Sequence, residues 1–77
     1  MTVYDIRVDL KKGVSDAEGR NVAKALRLLG FYVSEVRVSK TYRVELSSAD
    51  PDADVDAMCQ RLLANPVIQD YSIERIS

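Results

Sequence analysis

The chain has 77 residues, eleven basic and twelve acidic, with 47% hydrophobic and 30% charged positions and no histidine. That is one soluble globular domain, and a small one, since a chain near this size buries only about 60% of its unfolded surface. The interspersed net charge of -1 excludes the concentrated basic face of a nucleic-acid binder, and no apolar run approaches the ~20 residues of a membrane span.

Thr2 to Leu10 alternates. Tyr4, Ile6, Val8 and Leu10 share one face, and Asp5, Arg7 and Asp9 lie on the other with Val3. A period of two over this length predicts a strand with one buried side. Lys11-Lys12-Gly13 ends it; with one glycine it reads as a solvated turn and not as a phosphate loop. Ser15-Asp16-Ala17-Glu18 then has the spacing of a capping box, Ser15 capping and Glu18 reaching back. Val22, Ala25, Leu26 and Leu29 follow at helical spacing and predict a buried stripe. Gly30 suits the left-handed residue after a helix, and Phe31 the Schellman contact onto Leu26. Gly19, a poor helix former, points either to close approach by another backbone or to simple tolerance near a helix end.

Val33 to Leu46 lacks glycine and proline and mostly alternates. Fourteen residues exceed an ordinary strand, so the stretch predicts two strands turning near Ser39-Lys40-Thr41. Asp50-Pro51 opens a second helix, a capping aspartate before proline at the first helical position. Asp52, Asp54 and Asp56 complement the positive end of its dipole. Val55, Met58, Cys59, Leu62 and Leu63 form its apolar stripe, and Pro66 ends it. Tyr71 and Ile73 open a last strand with Asp70, Ser72 and Glu74 on its other face. The order β-α-β-β-α-β, over residues 1–77 as a single domain, predicts an α+β fold: a four-stranded antiparallel sheet with two helices on one face.

No catalytic constellation is evident. Histidine, the commonest general base, is missing, and Cys59 lies on an apolar stripe with nothing nearby in sequence to lower its pKa. The four aspartates from Asp50 to Asp56 lack the glycine and terminal glutamate of a calcium loop. Tyr4, Tyr42 and Tyr71 alternate onto the core side, which leaves the open sheet face to ion pairs rather than to stacked bases. One cysteine makes no internal disulfide, so oligomerisation is the expected source of extra stability. A free thiol and an N-terminus without an export signal point to the cytoplasm.

Beyond these residue-level readings, the chain resembles the small S subunit (PurS) family of phosphoribosylformylglycinamidine synthase. Asp16-Ala17-Glu18-Gly19 resembles that family's lead into the first helix, with Ala17 where proline is usual. Leu29-Gly30-Phe31 is similar to its helix exit. Val36-Arg37-Val38-Ser39-Lys40 resembles its hairpin, with Ser39 where glycine is usual. The most specific block is Met58-Cys59, Leu62-Leu63-Ala64-Asn65-Pro66-Val67-Ile68, Asp70-Tyr71 and Glu74.

The resemblance implies a non-catalytic bridging subunit of the glutamine-dependent amidotransferase of purine biosynthesis. It would act as a homodimer or tetramer joining a glutaminase subunit to a large synthetase subunit and helping to shield the ammonia path. ATP and magnesium would be used by the synthetase subunit, and no cofactor by this chain. Arg37, Lys40, Asn65, Asp70 and Tyr71 are the candidate partner contacts, the alternative being that Asn65 and Pro66 only end a helix and Tyr71 only fills the core. The competing reading is a free-standing small-molecule regulatory module of similar topology, which the single glycine after the first strand disfavours.

Overall fold

A computed structural model describes all 77 residues. The first strand, β1 (Thr2–Leu10), is central, flanked by β2 (Lys40–Leu46) and β3 (Gln69–Arg75), both antiparallel to it. The helices are α1 (Ala17–Leu28) and α2 (Pro51–Met58), and α2 runs into a π-turn over Cys59–Leu63. Ile6 lies opposite both Tyr42 and Ile73, and Val8 opposite Tyr71, so the alternating residues of three strands converge on one face. There Tyr4, Ile6 and Val8 meet Val55, Cys59 and Ala64 in the core, with Tyr42, Val44, Leu46, Leu63 and Tyr71 at its margin. Two tyrosine hydroxyls fasten the sheet to α2: Tyr4 donates to Asp52, and Tyr71 donates to Asp56 at 3.0 Å. On the opposite face Arg43 holds both carboxylate oxygens of Asp5, at 2.7 and 2.8 Å.

The sheet has three strands, not four. Residues 33–39 form no strand, and the turn expected at Ser39-Lys40-Thr41 is absent, because Lys40 and Thr41 already belong to β2. The reason is a competition for backbone groups, which α1 wins. The Arg27 guanidinium takes the carbonyls of Val33 and Ser34 at 2.9 and 3.1 Å. The Asp16 carboxylate takes the Val38 N–H at 2.8 Å. The Val36 carbonyl lies where a Cβ on Gly19 would be, 2.2 Å from that position. A segment so engaged with a helix has few groups left for a neighbouring strand. Of the two readings of Gly19, close approach is therefore the real one.

The helix cap shifts as well. Asp16, not Ser15, caps α1, accepting from the Gly19 N–H at 2.8 Å. At the other end the Schellman pattern forms: the Phe31 N–H bonds the Leu26 carbonyl, the Gly30 N–H bonds that of Arg27, and Gly30 takes φ +97°.

Only α2 covers the sheet. No side chain of α1 enters the core, and the predicted stripe on α1 is largely open, with Val22 at 40% and Leu29 at 73% exposure. What α1 buries is Gly19 and Ala23, the face turned toward residues 33–36.

Candidate partner-binding surface

The residues marked in the sequence lie toward the sheet end at which β1 finishes, but on both of its faces. Arg37 reaches it by donating from Nη2 to the Leu10 carbonyl at 3.1 Å, while its other nitrogen lies 3.7 Å from Glu35. Lys40 opens β2 directly opposite Val8. Asp70 and Tyr71 lie on β3 opposite Asp9 and Val8. Asn65 sits in the turn that delivers β3 to this end: its side chain accepts from the Val67 N–H at 3.1 Å, and its carbonyl accepts from Ile68 and Gln69. The Gln69 side chain closes the turn by accepting from the Asn65 N–H at 2.7 Å.

Between these elements lies a small cavity of about 140 Å³, lined by Val8, Leu10, Asp16, Glu18, Val38, Lys40 and Gln69. Asp9 and Asp70 face each other across the strands, a like-charge pairing that is destabilising when uncompensated. Here Arg7 lies 3.1 Å from Asp9 and Lys11 3.3 Å from Asp70, so each carboxylate has its own cation.

Four of the five residues thus have work inside the protomer. Arg37 and Asn65 position backbone, Asp70 pairs with Lys11, and Tyr71 is half-buried with its hydroxyl on Asp56. Lys40 differs: it is exposed and makes no ion pair. Asp16 is the residue that sequence reasoning passed over. Its two carboxylate oxygens hold the first turn of α1 and the Val38 amide, and those two N–H donors keep its pKa below the ordinary value. Aspartate caps as well as serine does, and one of the pair Ser15-Asp16 had to be chosen from spacing alone.

The surface has little capacity for bond-making. Burial, and secondarily the Asp56 carboxylate, pushes the Cys59 thiol up; it is wholly buried and stays a protonated core side chain. The Tyr4 and Tyr71 hydroxyls are likewise raised, chiefly by donating to Asp52 and Asp56. What the surface offers is shape, backbone and charge. No helix is long and apolar enough to cross a membrane.

Comparison with known proteins places this geometry. The family model described as PurS, phosphoribosylformylglycinamidine (FGAM) synthase, matches residues 3–77. The phosphoribosylformylglycinamidine synthase subunit PurS of Archaeoglobus fulgidus is 45% identical over 75 residues, covering 92% of this chain and 94% of that protein. The crystal structure of Methanocaldococcus jannaschii PurS, one of the subunits of formylglycinamide ribonucleotide amidotransferase in the purine biosynthetic pathway, superposes with a TM-score of 0.86. It is 39% identical, over 100% of this chain and 98% of that one. A chain in the structure of PurLQS from Thermotoga maritima shares the fold, with a TM-score of 0.70 at 23% identity over 97% and 96% of the two chains.

Proposed function

The chain belongs to the PurS family of phosphoribosylformylglycinamidine synthase, and from that premise we propose that it is the non-catalytic bridging subunit of this amidotransferase. In this reading it joins the glutaminase and synthetase subunits in the cytoplasm, while the synthetase subunit uses ATP and magnesium. The bridge also helps keep water from the ammonia in transit, which matters because a protonated ammonia is no longer a nucleophile.

One observation carries the reading: the protomer is built to be covered by other chains. Its accessible surface is 5804 Å², about 1,100 Å² more than a compact monomer of its mass exposes. A standard interface takes about 800 Å² from each partner. The excess includes the open stripe of α1, where Leu29 is 73% exposed and neither Val22 nor Leu29 packs on the core. A second copy of this chain is the proposed cover for that stripe, giving a homodimer or a tetramer. The sheet end with Lys40, Arg37, Asn65, Asp70 and Tyr71 is the proposed contact with the larger subunits. Lys40 is the foremost of these because no internal partner claims it.

Gel filtration tests the reading. The chain, mixed with the synthetase and glutaminase subunits in the presence of ADP, magnesium and glutamine, is expected to elute with both. Separate elution under those conditions would contradict it.

A further inference from the structure

One face of α1 carries more positive charge than the protomer neutralises. At 3.6 residues per turn, Arg20, Lys24 and Arg27 fall within about 60° of one another around the helix. Val22 and Leu29 lie roughly opposite, so this face is distinct from the open apolar stripe. Arg20 and Lys24 stand four residues apart, a like-charge spacing that costs an isolated helix some stability. Both are exposed, and neither belongs to an ion pair. They line a groove of about 550 Å³ between α1 and residues 34–37, with the buried Ala23 also in its wall. That volume lies in the range of small-molecule sites.

The groove stays basic after its acids are counted. Arg20, Lys24, Arg27 and Arg37 line it against Asp16 and Glu35, four cations to two anions. Asp16 already holds the Gly19 and Val38 amides, and Glu35 lies 3.7 Å from Arg37. The Arg27 guanidinium is engaged with the Val33 and Ser34 carbonyls. Arg20 and Lys24 are the two cations left over. A phosphate monoester carries about two negative charges at neutral pH, which matches them, and charge-assisted bonds of this kind are strong. At Arg27 and Ser34 the groove meets a second hollow, of about 660 Å³, whose wall includes Phe31 and Tyr32. Phe31 is 59% exposed and Tyr32 is fully open. Aromatic faces open in this way stack on the π-face of any base. Lys24 and Arg27 are about 4.5 Å apart along the helix axis, so both hollows lie within reach of one nucleotide.

We propose that this groove binds a nucleoside phosphate, its phosphate held by Arg20 and Lys24 and its base laid against Phe31 and Tyr32. The phosphate end lies on the side of α1 away from the stripe proposed for a second copy. The inference goes beyond the bridging reading and does not rest on it.

The test titrates the full chain with AMP, ribose 5-phosphate, adenosine and inorganic phosphate by calorimetry. Wild type is compared with Arg20→Gln, Lys24→Gln and Tyr32→Ala, and light scattering gives the mass of each. All three side chains are exposed, so the variants are expected to fold. AMP is expected to bind more tightly than the other three probes. Each glutamine variant should weaken AMP roughly tenfold, the loss of one hydrogen bond to a charged group, by a margin that shrinks as salt rises. Tyr32→Ala should weaken AMP and leave ribose 5-phosphate unchanged. No binding of millimolar AMP by the wild type would overturn the proposal, as would wild-type affinity in both glutamine variants. Inorganic phosphate held as tightly as AMP would overturn it too, leaving a bare anion site. A lower mass of the glutamine variants alone would overturn it in favour of an acidic segment of a second copy. None of these outcomes touches the bridging reading, which gel filtration tests separately.

Discussion

Asp16 and Gly19 act as one device. The carboxylate closes the first turn of α1 and holds the Val38 amide, while the missing side chain admits the Val36 carbonyl. Gly19→Ala would thrust a methyl group against a backbone oxygen that Asp16 and Arg27 hold from either side. It is expected to cost about 1–3 kcal/mol, the range for overpacking, in urea denaturation at fixed protein concentration. Gly13, which has φ +87° but open space around it, should cost less on the same substitution.

The same carboxylate makes a pH prediction. The folded-state pKa of Asp16 lies below the ordinary carboxylate value, by virtue of the Val38 and Gly19 amides. That of Asp5 is lowered by Arg43. A depressed carboxylate contributes stability that is complete above the unfolded value and is lost as pH falls through the folded value. Urea midpoints should therefore be flat above about pH 5 and decline in acid. Asp16→Asn should lower the neutral plateau and shallow the acid decline. An unchanged acid limb in that variant would show that the two amide bonds do not stabilise the ionised carboxylate. At the alkaline end the sign reverses: the raised Tyr4 and Tyr71 hydroxyls stabilise the fold while protonated, and that contribution is lost as pH rises beyond their unfolded value of 10.0.

At the scale of elements, legibility followed how local the controlling interaction is. β1, α1, α2 and β3 were readable because alternation, helical spacing, proline and the capping aspartate at Asp50 are properties of neighbouring residues. The segment 33–39 was not, since its valines alternate as a strand would, and what decides its course is Asp16 and Arg27 on another element. Tertiary context of this kind routinely overrides strand propensity. The π-turn was invisible for a similar reason: Leu62 and Ala64 compete for one core position, and periodicity always favours the leucine. Of the five marked residues, Lys40, Asp70 and Tyr71 lie toward the end of the sheet where β1 finishes, with Asp70 and Tyr71 on opposite faces. The bonds of Arg37 to Leu10, Tyr71 to Asp56 and Asp70 to Lys11 could not be read from sequence, because each runs to a residue brought near only by folding, whereas the turn bonds of Asn65 are local.

The π-turn has a direct stability signature. Val55→Ala is expected to cost about 2 kcal/mol, as for a fully buried aliphatic side chain. Leu62→Ala is expected to stay within about 0.5 kcal/mol, as for a surface change. Equal losses in chemical denaturation would mean that the helix runs on regularly and buries Leu62.

The whole protomer is elongated, 51 × 26 × 14 Å, with a radius of gyration of 15.8 Å, against about 11.5 Å for a compact chain of this length. Only eight of its 77 residues are buried, too few for a core that must stand alone. Stability should therefore depend on association, and the melting temperature should rise with protein concentration. Leu29→Glu on the open α1 stripe is expected to lower both the mass seen by light scattering and that concentration dependence. Placing charge there while the mass stays unchanged would show that α1 is not the self-association face.

The open stripe of α1 and the exposed Leu62 fit one role at this scale, that of a small spacer between larger proteins. The most direct measurement is glutamine-dependent formation of formylglycinamidine ribonucleotide by the synthetase and glutaminase subunits, with and without this chain. The account predicts that activity with glutamine requires the chain, while the chain alone turns over neither glutamine nor ATP. Full glutamine-dependent activity without it, or turnover by the isolated chain, would contradict the account.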